Sequence, residues 1–124
     1  MRILAVDDCL SIRQLVGYVL KHTEGVTHFH VAGSGEEALQ EFDSNPYDLL
    51  MVDWSMHPMN GETLIQRFRQ IKHQSHIPII VLSAEHQQEE KNKAKSLGAN
   101  GWICKPFHPD RLRQVIKRFH GTVL

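Results

Sequence analysis

Three stretches of this chain are apolar without alternation: "RILAV" (2–6), "LLMV" (49–52) and "IPIIVL" (77–82). A strand wetted on one face alternates apolar and polar residues, so unbroken runs of this length predict strands covered on both faces, as in a parallel sheet. "THFHV" (27–31) does alternate and suits an edge strand, and "GWIC" (101–104) is a shorter fifth candidate. Between these runs the apolar spacing changes to that of a helix. Ile12, Leu15, Val16, Val19 and Leu20 share one helical face, as do Leu64, Ile65, Phe68 and Ile71, and then Leu112, Val115, Ile116 and Phe119. Ser34 and Glu37 form a capping box ahead of Ala38, Leu39 and Phe42, and Asn45-Pro46 ends that helix. A fourth helix, "HQQEEKNKAKSL", is almost wholly polar, with Ala94 and Leu97 as anchors and Gly98 as its stop. It is expected to be the most loosely held element. Strand followed by helix about five times predicts a doubly wound α/β fold with right-handed crossovers and helices on both faces.

The 124 residues suit one domain, 1–124, with no repeat, low-complexity tract or linker to divide it. Lys and Arg together equal Asp and Glu at 14 each, which argues against bulk binding to nucleic acid or an anionic membrane. "ILAV" is too short for a signal segment and no run approaches a membrane span. Cys9 and Cys104 are too few for a disulfide scaffold and lack metal-type spacing, so a reduced, cytoplasmic setting is expected. Among nine histidines, His28 and His30 could share a strand face and grip a metal, but scattered surface histidines are the favoured reading.

The chemistry gathers where the strands end. Asp7 and Asp8 follow the first strand, Asp53 the third, Ser83 the fourth and Lys105 the fifth. Ligands of open α/β sheets bind outside these carboxyl ends, where the strand order reverses. If the first and third strands are neighbours, three carboxylates meet in one crevice. Two like charges about 4 Å apart repel by about 4 kcal/mol at an effective dielectric of 20, so either a proton is shared or a cation binds. Oxygen-only ligands in an open crevice favour Mg²⁺. The same parts suit phosphoryl transfer: Asp53 is ionised at neutral pH and needs no general base, Lys105 neutralises phosphoryl oxygens, and Ser83 donates a hydrogen bond. Taken singly these residues are ordinary. An Asp after a strand caps a helix, Ser83 would cap the fourth helix, and Lys105 would be a surface lysine. Their joint occurrence at four strand ends is what points to a site.

These residues resemble the receiver domain of bacterial two-component response regulators, and most closely single-domain CheY-type chemotaxis regulators. The resemblance runs from about Ile3 to Phe119 and rests on "VDD" (6–8), "DW" (53–54), the "M..MNG" turn, "LSAE" (82–85), "GANGW" (98–102) and "KPF" (105–107). It implies a flavodoxin-like sheet of five parallel strands in the order 2-1-3-4-5 with five helices. It implies that Asp53 is the phosphoacceptor, taking a phosphoryl group from the phosphohistidine of a sensor histidine kinase or phosphotransfer protein. Asp8, Asp53 and the backbone carbonyl of Ser55 would hold Mg²⁺, with Asp7 acting through water. Ser83 and Trp102 would be the switch residues, Lys105 would pair with the phosphoryl group, and Lys105–Pro106 would be cis. Ser55 and Glu85 occupy positions that tune hydrolysis. The downstream partner would be a protein bound on the face of the fourth helix, fifth strand and fifth helix, with no nucleic acid or membrane involved.

Two positions depart from the family pattern. Proline usually follows the methionine at Met56, whereas here His57 intervenes before Pro58 with the spacing to Gly61 kept, so the stiff point moves to His57. Mg²⁺ binding is expected to survive this. Trp102 is bulkier than the aromatic more common there, and the plainer reading is a half-buried aromatic covering the sheet edge. Trp54, beside Asp53, is expected to report ligand binding by its fluorescence. His57 could titrate near the site or be an idle loop histidine. A reactive Cys9 is disfavoured because acidic neighbours raise a thiol pKa.

Other functions fit less of the chain. An aspartyl-nucleophile phosphatase resembles a DxD arrangement, and position 55 is Ser. The expectation is therefore a protein that catalyses only its own phosphorylation and dephosphorylation, not a turnover enzyme. A degenerate receiver used only for docking would lack one of Asp8, Asp53 or Lys105, and all are present. No output domain follows within the 124 residues, so the expectation is either output through a partner or a domain excised from a longer protein. The basic side of "RQVIKRFH" (113–120) is read as a solvated helix face.

Overall fold

The computed structural model describes residues 1–71 and 76–123, the side chains of 121–123 excepted. Strands and helices alternate: β1 (Arg2–Val6), α1 (Leu10–Lys21), β2 (His28–Ala32), α2 (Gly35–Ser44), β3 (Leu49–Asp53), α3 (Gly61–Gln70), β4 (Ile79–Ser83), α4 (Gln88–Ser96), β5 (Gly101–Cys104) and α5 (Pro109–Val123). The five strands form one sheet in the order β2-β1-β3-β4-β5, every pair parallel. The expected architecture and strand order are thus observed.

The unbroken apolar runs follow from burial of both faces. Along β1, β3 and β4, Leu4, Val6, Leu50, Val52, Ile79 and Val81 point into one core with Phe42, Leu64 and Phe68 from α2 and α3. The residues between them, Ile3, Ala5, Leu49, Met51, Ile80 and Leu82, point into a second core with Val16, Val19 and Leu20 of α1 and Leu112, Val115 and Ile116 of α5. The edge strand β2 is only partly covered, as its alternation predicts. The fourth strand starts at Ile79, not Ile77, because Pro78 has no N–H for the ladder. Its far end extends to include Ser83, as β3 extends to include Asp53, so both polar residues stand on the last rung of the sheet.

The helix ends follow local chemistry. Ser34 Oγ accepts the N–H of Glu37 at 3.2 Å, while the Glu37 carboxylate accepts the N–H of Gly33 and meets His30 Nε2 at 2.9 Å. Asn60 caps α3 by accepting the N–H of Thr63 at 2.8 Å. Gly98, at φ +96°, provides the left-handed turn that ends α4. Helix α4 buries only Ala94, and its capping residue Gln87 contributes no side-chain bond. Arg69 fastens the opposite end of the sheet: its guanidinium donates to the carbonyls of Ile77 and Gly98, both at 2.6 Å. Among the described residues no helix is long and apolar enough to cross a membrane.

Candidate functional site

Because β1 pairs directly with β3, the residues leaving their carboxyl ends share one crevice. One carboxylate oxygen from each of Asp7, Asp8 and Asp53 lies within 4.8 Å of the other two. Asp7 and Asp53 are only 2% and 3% exposed, whereas Asp8 faces solvent at the mouth. This is the convergence the strand-end pattern predicts.

Each acid is held by backbone that the sheet has already placed. The Asp7 N–H donates to Ala32 on β2 at 3.1 Å, and its carbonyl accepts from Arg13 Nη1 at 2.9 Å. Asp7 Oδ1 accepts the N–H of Cys9 at 2.9 Å. Asp8 Oδ2 accepts the N–H of His57 at 3.2 Å, so the departing His57-Pro58 segment is itself tied to the acid cluster. Asp53 Oδ1 accepts the N–H of Ser55 at 3.2 Å. The next residue, Trp54, donates its N–H to Leu82 on β4 and accepts from Gly61 at the start of α3. Both Lys105–Pro106 and His57–Pro58 are cis; the second was not expected.

Lys105 supplies the cation. Its N–H donates to the Ser83 carbonyl at 2.7 Å, and its Nζ reaches Asp7 Oδ2 at 2.7 Å and Asp53 Oδ1 at 3.1 Å. Burial and the charge of Asp7 raise the Asp53 carboxyl above its ordinary pKa, although Lys105 and the Ser55 N–H oppose this. For Lys105, burial favours losing the proton, but the hydrogen bond to Asp7 and the charges of both acids outweigh it and raise its pKa. The ammonium is therefore charged at neutral pH. Three carboxylates against one lysine still leave a negative site, and three hard oxygen donors at this spacing fit a Mg²⁺ ion.

The remaining candidates are distributed around this centre. Ser83 is buried, but its Oγ accepts the N–H of Glu85 at 2.9 Å and caps its own loop, not helix α4. Ser55 is exposed next to Asp53. Trp102, on β5, is half-buried and packs its ring 5.7 Å from that of Trp54. Its Nε1 is buried with no partner among the described residues. Cavities of about 270 and 350 Å³ flank Trp102, one toward α4 and one toward α5, both away from the acids.

One residue behaves differently from expectation. The Cys9 thiol pKa is lowered, not raised: the hydrogen bond with Ser11 Oγ at 3.2 Å and the Ile12 N–H at the start of α1 prevail over the Asp7 charge. His30 is engaged by Glu37 through Nε2. A further contact carries no sequence signal: Trp54 Nε1 donates to Glu90 Oε2 of α4 at 2.8 Å.

Comparison with known proteins agrees with this geometry. The family model for the response regulator receiver domain matches residues 3–117. Chemotaxis protein CheY of Pseudomonas aeruginosa is 31% identical over 123 residues, covering 99% of this chain and 98% of that protein. Chemotaxis protein CheY1 of Helicobacter pylori is 32% identical over 123 residues, covering 98% of each. Among solved structures, chemotaxis protein CheY4 of Vibrio cholerae has a TM-score of 0.88 at 33% identity, over 95% of this chain and 97% of that one.

Proposed function

The chain belongs to the response regulator receiver domain family, and on that premise we propose that it accepts a phosphoryl group on Asp53 from the phosphohistidine of a sensor histidine kinase or phosphotransfer protein. The observation that carries this reading is the placement of Lys105 Nζ between the buried carboxylates of Asp7 and Asp53, with Asp8 at the mouth.

The chain's own residues divide the work. A carboxylate oxygen of Asp53 forms the bond to phosphorus as the phosphorus–nitrogen bond of the donor imidazole breaks, and the imidazole leaves with the electron pair and takes up a proton. Burial and the Asp7 charge hold Asp53 as a less stabilised, more reactive carboxylate, so attack relieves an unfavourable charge. The Lys105 ammonium neutralises negative charge on the transferred group. Ser83 can turn its hydroxyl from Glu85 N–H toward a phosphoryl oxygen, which couples the site to the loop after β4. Asp8 and Asp53, with the Ser55 carbonyl and with Asp7 through water, are the groups to hold Mg²⁺, which when bound neutralises charge on the phosphoryl oxygens. Output passes through the α4–β5–α5 face, where Trp102 stands, to a protein partner. The protein is a phosphoacceptor and not a turnover enzyme.

Incubation with Mg²⁺ and acetyl phosphate tests this. Intact-mass measurement is expected to show one added phosphoryl group, absent in Asp53→Asn. Unlabelled wild-type protein would favour a docking module that works without phosphorylation, and sustained turnover of small phosphate esters would favour an enzyme.

A further inference from the structure

The hydrogen bond from Trp54 to Glu90 joins residues 36 positions apart, and neither the sheet nor phosphoryl transfer requires it. Trp54 immediately follows Asp53 and is 7% exposed. Glu90 stands in the first turn of α4, a helix with one buried residue, Ala94, and no side-chain cap. A hydrogen bond to a carboxylate is about twice as strong as a neutral one, and an indole N–H that loses its acceptor while buried is left with a desolvation penalty. Against so few other attachments, this bond is a principal tie between α4 and the strand that carries the phosphoacceptor. The same indole also packs against Trp102, whose own buried N–H lacks an acceptor among the described residues. Trp54 thus touches the α4–β5 surface twice, once by a hydrogen bond and once ring to ring.

We propose that Glu90 is a latch that, through the indole of Trp54, holds α4 and Trp102 in their resting places. Glu90 does not touch the reacting atoms; it is a positioning residue, and its functional consequence rests on the phosphoryl-transfer reading above. When the latch opens, α4 loses its tie to β3, and Trp102 can leave the Trp54 ring and give its N–H to an acceptor or to water. A contact that favours one of two states weakens, by the same factor, the binding of any ligand that favours the other. Breaking the latch must therefore strengthen binding of a phosphoryl analogue at Asp53, although Glu90 belongs to a different element.

The test measures beryllofluoride affinity in Mg²⁺ by fluorine NMR for the wild type, Glu90→Gln and Glu90→Ala, together with amide hydrogen exchange of α4 without the analogue. Glu90→Ala is expected to bind beryllofluoride about threefold to tenfold more tightly and to exchange faster along α4, with Glu90→Gln, which keeps a neutral acceptor, in between. A residue of purely structural importance would lower stability and leave the affinity unchanged. Unchanged or weaker binding by Glu90→Ala, beside normal binding by the wild type, overturns the latch. If the wild type neither binds beryllofluoride nor takes up a phosphoryl group from acetyl phosphate, the phosphoryl-transfer reading fails; unaccelerated exchange in Glu90→Ala would then overturn the latch separately, and accelerated exchange would uphold the tie.

Discussion

Lys105 Nζ stands 2.7 Å from Asp7 Oδ2, a contact that joins residues 98 positions apart and fixes the β5 end of the sheet to the β1 end. The lysine also reaches Asp53, so a single cation serves two buried acids. Removing one partner of a buried pair leaves the other charge uncompensated, which commonly costs about 3–5 kcal/mol. Lys105→Met is expected to lose somewhat less, about 2–3 kcal/mol in urea denaturation with a chelator present, because the Lys105 side chain is 17% exposed at the crevice mouth. Part of that loss is expected to return on adding Mg²⁺, whose affinity should rise once the ammonium no longer competes for the same oxygens.

Asp53→Asn should act in the opposite direction. Burial and the neighbouring Asp7 charge disfavour the ionised Asp53 carboxylate. An isosteric neutral amide relieves both the burial cost and the repulsion while leaving Lys105 its bond to Asp7. Without Mg²⁺ at neutral pH, this variant is expected to be more stable than wild type. It should gain little stability when Mg²⁺ is added, because one of the three acids is missing. Paired denaturation curves with and without the ion check both statements.

Gly61 offers a steric test of how the phosphoacceptor is placed. A Cβ there would lie 2.5 Å from the Asp53 carbonyl oxygen and 2.7 Å from Trp54 Cα, both backbone atoms that cannot rotate away. Helix α3 therefore starts in contact with the end of β3, and only glycine permits that approach. Gly61→Ala is expected to lose about 2–3 kcal/mol despite the better helix propensity of alanine, and to slow acetyl phosphate labelling of Asp53. Denaturation together with the labelling rate measures both effects.

The legible and illegible parts of this molecule divide by physical cause. Strands covered on both faces leave an unbroken apolar run, and helices leave a spaced one, so the alternation of β and α elements could be read directly. The acids could be read because each closes a strand, and parallel strands all present their ends on one side. Long-range polar contacts leave no period. Glu90 looks like any carboxylate on a solvated helix, yet it accepts from Trp54. Arg69 looks like a surface cation on α3, yet its two bonds of 2.6 Å fasten the carbonyls of Ile77 and Gly98. Acidic neighbours predict a raised Cys9 pKa, but hydrogen bonds to the thiol, which depend on the turn into α1, outweigh them and lower it. Taken alone, Ser83 reads as a cap for the fourth helix, whereas the backbone aims Glu85 N–H at its hydroxyl.

Glu37 gives the fold a measurable response to acid. Its carboxyl pKa is lowered, chiefly by the hydrogen bond with His30, which outweighs the opposing effect of burial with help from the Gly33 N–H. A carboxyl with a depressed folded-state pKa contributes its stability in full above the ordinary glutamate range and loses it as the pH falls through the depressed value. Glu37 is largely solvent-exposed, so screening limits the contribution to no more than about 1 kcal/mol. Glu37→Gln is therefore expected to be less stable than wild type by up to about 1 kcal/mol at neutral pH, with the two melting temperatures converging as the pH is lowered below the usual carboxylate range. A gap that stays constant across that acid range would mean that the Glu37 contacts do not depend on its charge.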